Sequence, residues 1–126
     1  MKIGFRVDSS KSIGAGHLRR CLKLAEDLKY KSKDIIFITR NLEGNFNNLI
    51  DRKKFKLALI KNNKLKNDLN ETKKICKKFK INFLIVDSYK IGINWEKEIR
   101  SSVEKLIVID DFTSKPHYCD LIINKD

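Results

Sequence analysis

Residues 2–30 read KIGFRVDSSKSIGAGHLRRCLKLAEDLKY, and this stretch decides the fold. Its opening, residues 2–7, is a short β-rich run. Residues 17–30 then place Leu18, Cys21, Leu22, Ala25 and Leu28 on one face, the spacing of a helix with a buried stripe. A Ser/Gly-rich loop joins the two. Strand, loop and helix in that order open a βαβ unit, and the alternation continues downstream.

Residues 34–40 (DIIFITR) repeat the strand pattern, residues 44–51 read as a weaker helix, and residues 55–60 as a short third strand. Residues 67–79 line up Leu69, Thr72, Ile75, Cys76 and Phe79, with lysines on a solvated side. Residues 81–87 (INFLIVD) and 106–110 (LIVID) are apolar almost throughout, as expected of strands covered on both faces of a parallel sheet. A helix is expected over 95–103, and Pro116 marks the loop before a last strand at 120–123. Right-handed crossovers between such strands give an α/β, Rossmann-like, mostly parallel sheet flanked by helices. With 126 residues, the chain can bury a core without disulfides or metals, so 1–126 is read as a single domain.

Composition narrows the class. Hydrophobic residues at 41% against 35% charged fit a folded domain with a heavily charged surface better than a disordered chain. No apolar run approaches the ~20 residues of a membrane span, and residues 1–10 lack the features of a signal peptide, so a cytoplasmic protein is expected. Cys21, Cys76 and Cys119 are odd in number and far apart, which points to buried reduced thiols and away from a disulfide framework or a zinc site. The net charge of +12 raises nucleic acid as a partner. Its lysines are scattered along residues 29–80, however, so no specific nucleic-acid binding is expected, although a basic surface attracts anionic substrates.

In open parallel sheets, ligands bind at the carboxyl ends of the strands. Three segments qualify: residues 8–17, Asp87-Ser88-Tyr89 and Asp110-Asp111. The first runs from Asp8 through Ser10, Gly14 and Gly16 to His17, with Arg20 one turn on. Its glycines let backbone approach a ligand, and the N–H groups at a helix start favour an anion. It lacks the third glycine of a dinucleotide fingerprint, since Arg19 stands there, and the Lys-Ser/Thr of a P-loop. A tight strand-to-helix turn is the competing reading.

His17 stands in the first helical turn, where the macrodipole's positive end opposes imidazolium and suits the ring to accept a proton. Capping the helix or packing beneath the loop is the ordinary alternative. Tyr89 fits either a hydrogen bond to substrate or water, or a surface aromatic. Asp87, Asp110 and Asp111 fit either orientation of His17 and binding of hydroxyls, or turn and capping roles. Alternation sends Asp110 and Asp111 to opposite faces, so one at most enters the cleft. Arg20 fits either a phosphate or loop contact or a helix surface. Trp95 reads as core, and His117 as structural or exposed.

Three ordered blocks carry a resemblance. Arg6-x-Asp8-x-Ser10 with Ile13-Gly14-x-Gly16-His17-x-x-Arg20, then Ile85-Val86-Asp87-x-Tyr89, then Asp110-Asp111 with Lys115-Pro116-His117-x-Cys119-Asp120 and Asn124, resemble the UDP-2,4-diacetamido-2,4,6-trideoxy-β-L-altropyranose hydrolases of pseudaminic-acid biosynthesis. The spore-coat polysaccharide family is also similar. The resemblance implies the N-terminal half of a GT-B-like pair of domains, with the nucleotide held mainly by a C-terminal domain absent from these residues. It implies metal-free and cofactor-free hydrolysis of the anomeric C–O bond of a UDP-sugar, with His17 as base and Tyr89 lining the site. Asp8, Ser10, Gly14, Gly16, Arg20, Asp87 and Asp111 are the expected substrate-binding residues. A glycosyltransferase acceptor domain and a non-catalytic nucleotide-sugar or partner-binding module are the alternatives.

Overall fold

A computed structural model describes residues 1–31, 34–61, 64–111 and 115–124. The strands are β1 (Lys2–Val7), β2 (Asp34–Arg40), β3 (Lys56–Ile60), β4 (Phe83–Asp87), β5 (Lys105–Ile109) and β6 (Leu121–Ile123). They form one sheet of six strands in the order β3-β2-β1-β4-β5-β6, parallel throughout. The helices are α1 (Gly16–Leu28), α2 (Asn48–Arg52), α3 (Leu65–Lys78) and α4 (Ile93–Arg100). The chain order reverses between β1 and β4, and the loops leaving these two strands diverge to make a crevice.

Alternation along the strands divides the core in two. Phe5, Phe37 and Ile85 face α1, where they meet Leu18, Cys21, Leu22 and Ala25, while Leu84, Val86, Ile36 and Ile38 face Cys76 of α3 and Trp95 and Ile99 of α4. Phe5 and Phe37 sit opposite each other in register and stack at 4.9 Å. At Gly4, on the α3 side of β1, a Cβ would stand 2.9 Å from Cδ1 of Ile81, so glycine is what lets Ile81 close over the strand.

Several boundaries differ from the sequence expectation, each for a local reason. The helix expected at 44–51 is confined to Asn48–Arg52, because Gly44 adopts φ +66 and the Asn45 side chain accepts from the Asn47 N–H at 3.0 Å, making a turn first. The strand expected from residue 81 starts at Phe83. Lys80 turns left-handed at φ 54 after α3, and the Lys80 and Ile81 N–H groups donate back to Lys77 and Cys76, so Ile81 completes the helix cap. Lys54 closes α2 in the same way at φ 64, which moves the third strand's start to Lys56. With Gly92 as its N-cap, α4 starts at Ile93, two residues earlier than residue 95, and it ends at Arg100. Cys21 and Cys76 are buried as expected, but Cys119 is only partly so, because it lies in the segment leading to the edge strand. That strand, β6, exposes all of Leu121, Ile122 and Ile123. No described helix is long and apolar enough to cross a membrane.

Candidate active site at the carboxyl ends of β1, β4 and β5

The β1–α1 loop closes on itself before it reaches the helix. Ser10 and Gly14 form a short bridge, the Gly14 N–H donates to the Ser10 carbonyl at 2.8 Å, and the Ile13 N–H donates to Ser10 Oγ at 2.9 Å. Gly14 supplies the positive φ, +82, that this turn needs. Ser10 and Gly14 therefore build the turn, and the Ile13 and Gly14 amides are spent within it. Gly16 begins α1, and a Cβ placed there would meet nothing within 4 Å. No side chain caps the helix, so His17 is not an N-cap; Ala15 occupies that position.

His17 instead reaches across to β4. Its Nδ1 lies 2.6 Å from Asp87 Oδ1, and Asp87 is buried. Arg20, one turn further along α1, donates to the same carboxylate from Nε at 2.5 Å and Nη2 at 2.7 Å, and from Nη1 to both oxygens of Asp111 at 2.9 and 3.0 Å. Tyr89 Oη donates to Asp111 Oδ2 at 3.1 Å, and its ring meets the His17 ring edge-on at 4.5 Å. His17, Arg20, Asp87, Tyr89 and Asp111 thus form one connected network.

The chemistry of the partners assigns the histidine tautomer. Ionised Asp87 offers only lone pairs, so Nδ1 must carry a proton, and in a neutral ring the free pair is then on Nε2. The Arg20 Nη2 atom, 3.3 Å from Nδ1, is then a neighbour and not a donor to it. Burial pushes the Asp87 pKa up, but hydrogen bonds from Arg20 and His17 outweigh it and hold the carboxylate below its ordinary value. Arg20 likewise holds Asp111 ionised below the usual range, and the bond to Asp111 raises the Tyr89 phenol. The Cys21 thiol, buried and facing Asp87, is pushed well up and is no nucleophile.

Asp8 lies beside this network in a second one. Its carboxylate receives Arg6 at 2.9 and 3.0 Å, and the Arg40 N–H and Nε at 2.8 and 2.9 Å; Arg6 also pairs with Asp68 of α3. Both networks border a cavity of about 420 Å³ whose lining includes Asp8, His17, Arg40, Asp87, Tyr89 and Lys90. A hollow of about 630 Å³ at the opposite end of the sheet, between α3 and α4, holds none of the site groups. Among the described residues, no group of three or more His, Cys, Asp or Glu side chains is placed to hold a metal ion.

No protein-family model matches the chain. It is 34% identical over 124 residues to the UDP-2,4-diacetamido-2,4,6-trideoxy-β-L-altropyranose hydrolase of Campylobacter jejuni, across 98% of this chain and 41% of that protein. The resemblance read in the motifs holds. An uncharacterized protein of Methanocaldococcus jannaschii is 32% identical over 126 residues, across 98% of this chain and 25% of its own length. The chain thus spans about two fifths of the hydrolase it resembles and a quarter of the second relative.

Arg40 and Lys90 line the cavity without having been singled out in the sequence. Arg40 ends β2, so the rule that pointed to Asp87 also reaches it. In a further cluster, His117 with Glu96 and Asp110, the strand-end rule reached Asp110, but nothing in the sequence singled out Glu96, which is fully buried.

Proposed function

We propose that this chain carries the catalytic-base side of a UDP-sugar hydrolase acting on a diacetamido-trideoxy sugar, as the N-terminal domain of a GT-B-like pair. The observation that carries the reading is the His17–Asp87 pair on the wall of the cavity. Asp87 fixes the tautomer, so Nε2 can take a proton from water as the water oxygen bonds to the anomeric carbon. The bond from that carbon to the UDP oxygen breaks, its electron pair leaves with UDP, and the free sugar is released. With a neutral ring, two carboxylates outnumber the one guanidinium in the network, and the imidazolium formed in the reaction balances that excess. UDP is a good leaving group and needs little acid assistance. The second domain would hold the uracil, ribose and diphosphate.

The test is made in a protein carrying both halves. His17→Ala or His17→Asn is expected to lower kcat by roughly 10² or more, with KM and Tm nearly unchanged. Tyr89→Phe is expected to be milder. Near-normal turnover in His17→Ala would overturn the reading, and an equal loss of stability and activity would restore a packing role for the ring.

A further inference from the structure

Tyr89 stands 54% exposed on the short connection between β4 and α4, yet its hydroxyl donates to Asp111. Its backbone is gripped from behind. The Lys115 ammonium donates to the Tyr89 carbonyl at 3.0 Å and to the Ile91 carbonyl at 2.9 Å, with its stem running past Gly92. One cation thus ties two carbonyls of the loop that presents Tyr89, with the strength of charge-assisted bonds.

The segment bearing Lys115 is itself pinned two residues later. His117 Nδ1 lies 2.7 Å from Glu96 Oε2 on α4, and Nε2 contacts Asp110 Oδ2 at the end of β5. The other Glu96 oxygen accepts the Tyr118 N–H at 2.7 Å. Glu96 is fully buried, and the side chains of His117 and Asp110 are nearly so. Two ionised carboxylates flanking one imidazole can both be satisfied only by imidazolium, which donates from both nitrogens; a neutral ring turns a lone pair toward one of them. Among the described residues, the titratable groups that face the ring are Glu96 from α4 and Asp110 after β5, with Cys119 two residues on, itself near the Glu96 charge. Asp110 also precedes Asp111, the acceptor for Tyr89, so the same lock holds both ends of that bond.

We propose that residues 115–118 are a strap that positions the active-site tyrosine: His117, as imidazolium, fastens the segment to α4 and β5, and Lys115 then fixes the loop that carries Tyr89. Both are positioning residues. The proposal rests on the hydrolase reading only for its effect on turnover; the mechanical part stands apart from it.

Hydrogen exchange on this chain tests the mechanical part. Lys115→Met is expected to lower the protection of amides in 88–92 by about tenfold or more, the worth of a charge-assisted hydrogen bond, while β1 and β4 keep theirs. Lys115→Arg, which can still donate to two carbonyls, is expected to restore most of it. In the unsubstituted chain, the same amides are expected to lose protection as pH rises through the folded pKa of His117, which the two carboxylates hold above 6.5 against the opposing effect of burial, and the ring gives up its proton. Trp95, the chain's single tryptophan, lies beside Lys115 and should report the release by its fluorescence.

In the two-domain enzyme, Lys115→Met is expected to raise KM several-fold with a smaller change in kcat, and Lys115→Arg to rescue it. Unchanged protection of 88–92 in Lys115→Met, or a uniform loss across the whole sheet, would overturn the strap. If the loop loosens as expected but His17→Ala leaves hydrolysis intact, the strap stands and the catalytic reading falls. A wild-type loop whose protection is flat from pH 6 to pH 9 would overturn the role of His117 even if the substituted chains fail to fold.

Discussion

At the scale of single residues, a few charged side chains lie where solvent is scarce. Arg6 is fully buried between Asp8 and Asp68, Asp87 lies between His17 and Arg20, and His117 between Glu96 and Asp110. The acidic and basic members pull stability in opposite directions along the pH scale. Asp8 and Asp87 have folded pKa values below the ordinary 3.8, because their cations outweigh burial; their contribution is fully present above that value and lost as pH falls through the folded value. His117 has a folded pKa above 6.5, so its contribution is fully present below 6.5 and lost as pH rises through the folded value. The stability drawn from these groups is therefore expected to be complete between 3.8 and 6.5 and to decline on either side. Thermal melts across pH 3 to 9 check this, with His117→Gln removing the decline on the alkaline side. A wild-type and a His117→Gln curve that run parallel above pH 6.5 would show that the ring carries no such linkage.

At the scale of elements, the strands and the α1 stripe were legible in the sequence because burial writes a period into it. The rule that ligands gather at strand carboxyl ends then reached Asp87, Tyr89 and Asp111 without any knowledge of side-chain contacts. What joins them was not legible. Arg20 meeting Asp87 and Asp111, and Glu96 meeting His117, are contacts between elements far apart in sequence, and no local spacing encodes them. The helix ends were misplaced for a related reason, since lysines do the work expected of glycine at the left-handed caps of α2 and α3. Relieving that strain is expected to help: Lys80→Gly should stabilise by about 0.5–1 kcal/mol, the left-handed penalty less the added freedom of the unfolded glycine. Denaturant titration at unchanged m-value is the measurement. A lower midpoint would mean that the Lys80 side chain makes a compensating contact.

At the scale of the whole molecule, the sheet order puts the switch point between β1 and β4, and the His17–Asp87 pair spans it. The cavity there has room for a sugar, but its polar wall is largely engaged in its own ion pairs, and the β1–α1 turn has used two of its amides internally. Calorimetric titration of this chain with UDP is therefore expected to give no binding at micromolar concentration; a micromolar Kd would place the nucleotide site here and reverse the proposed division of labour. The edge strand β6 has a different consequence, a colloidal one. β6 presents apolar side chains at an edge of the sheet where, among the described residues, no further strand pairs with it, an arrangement that templates strand addition from a neighbouring molecule. Light scattering from the chain should climb with concentration, and Ile122→Lys, which places a charge in the middle of that strand, should hold the solution clear without touching the crevice at the other side of β4.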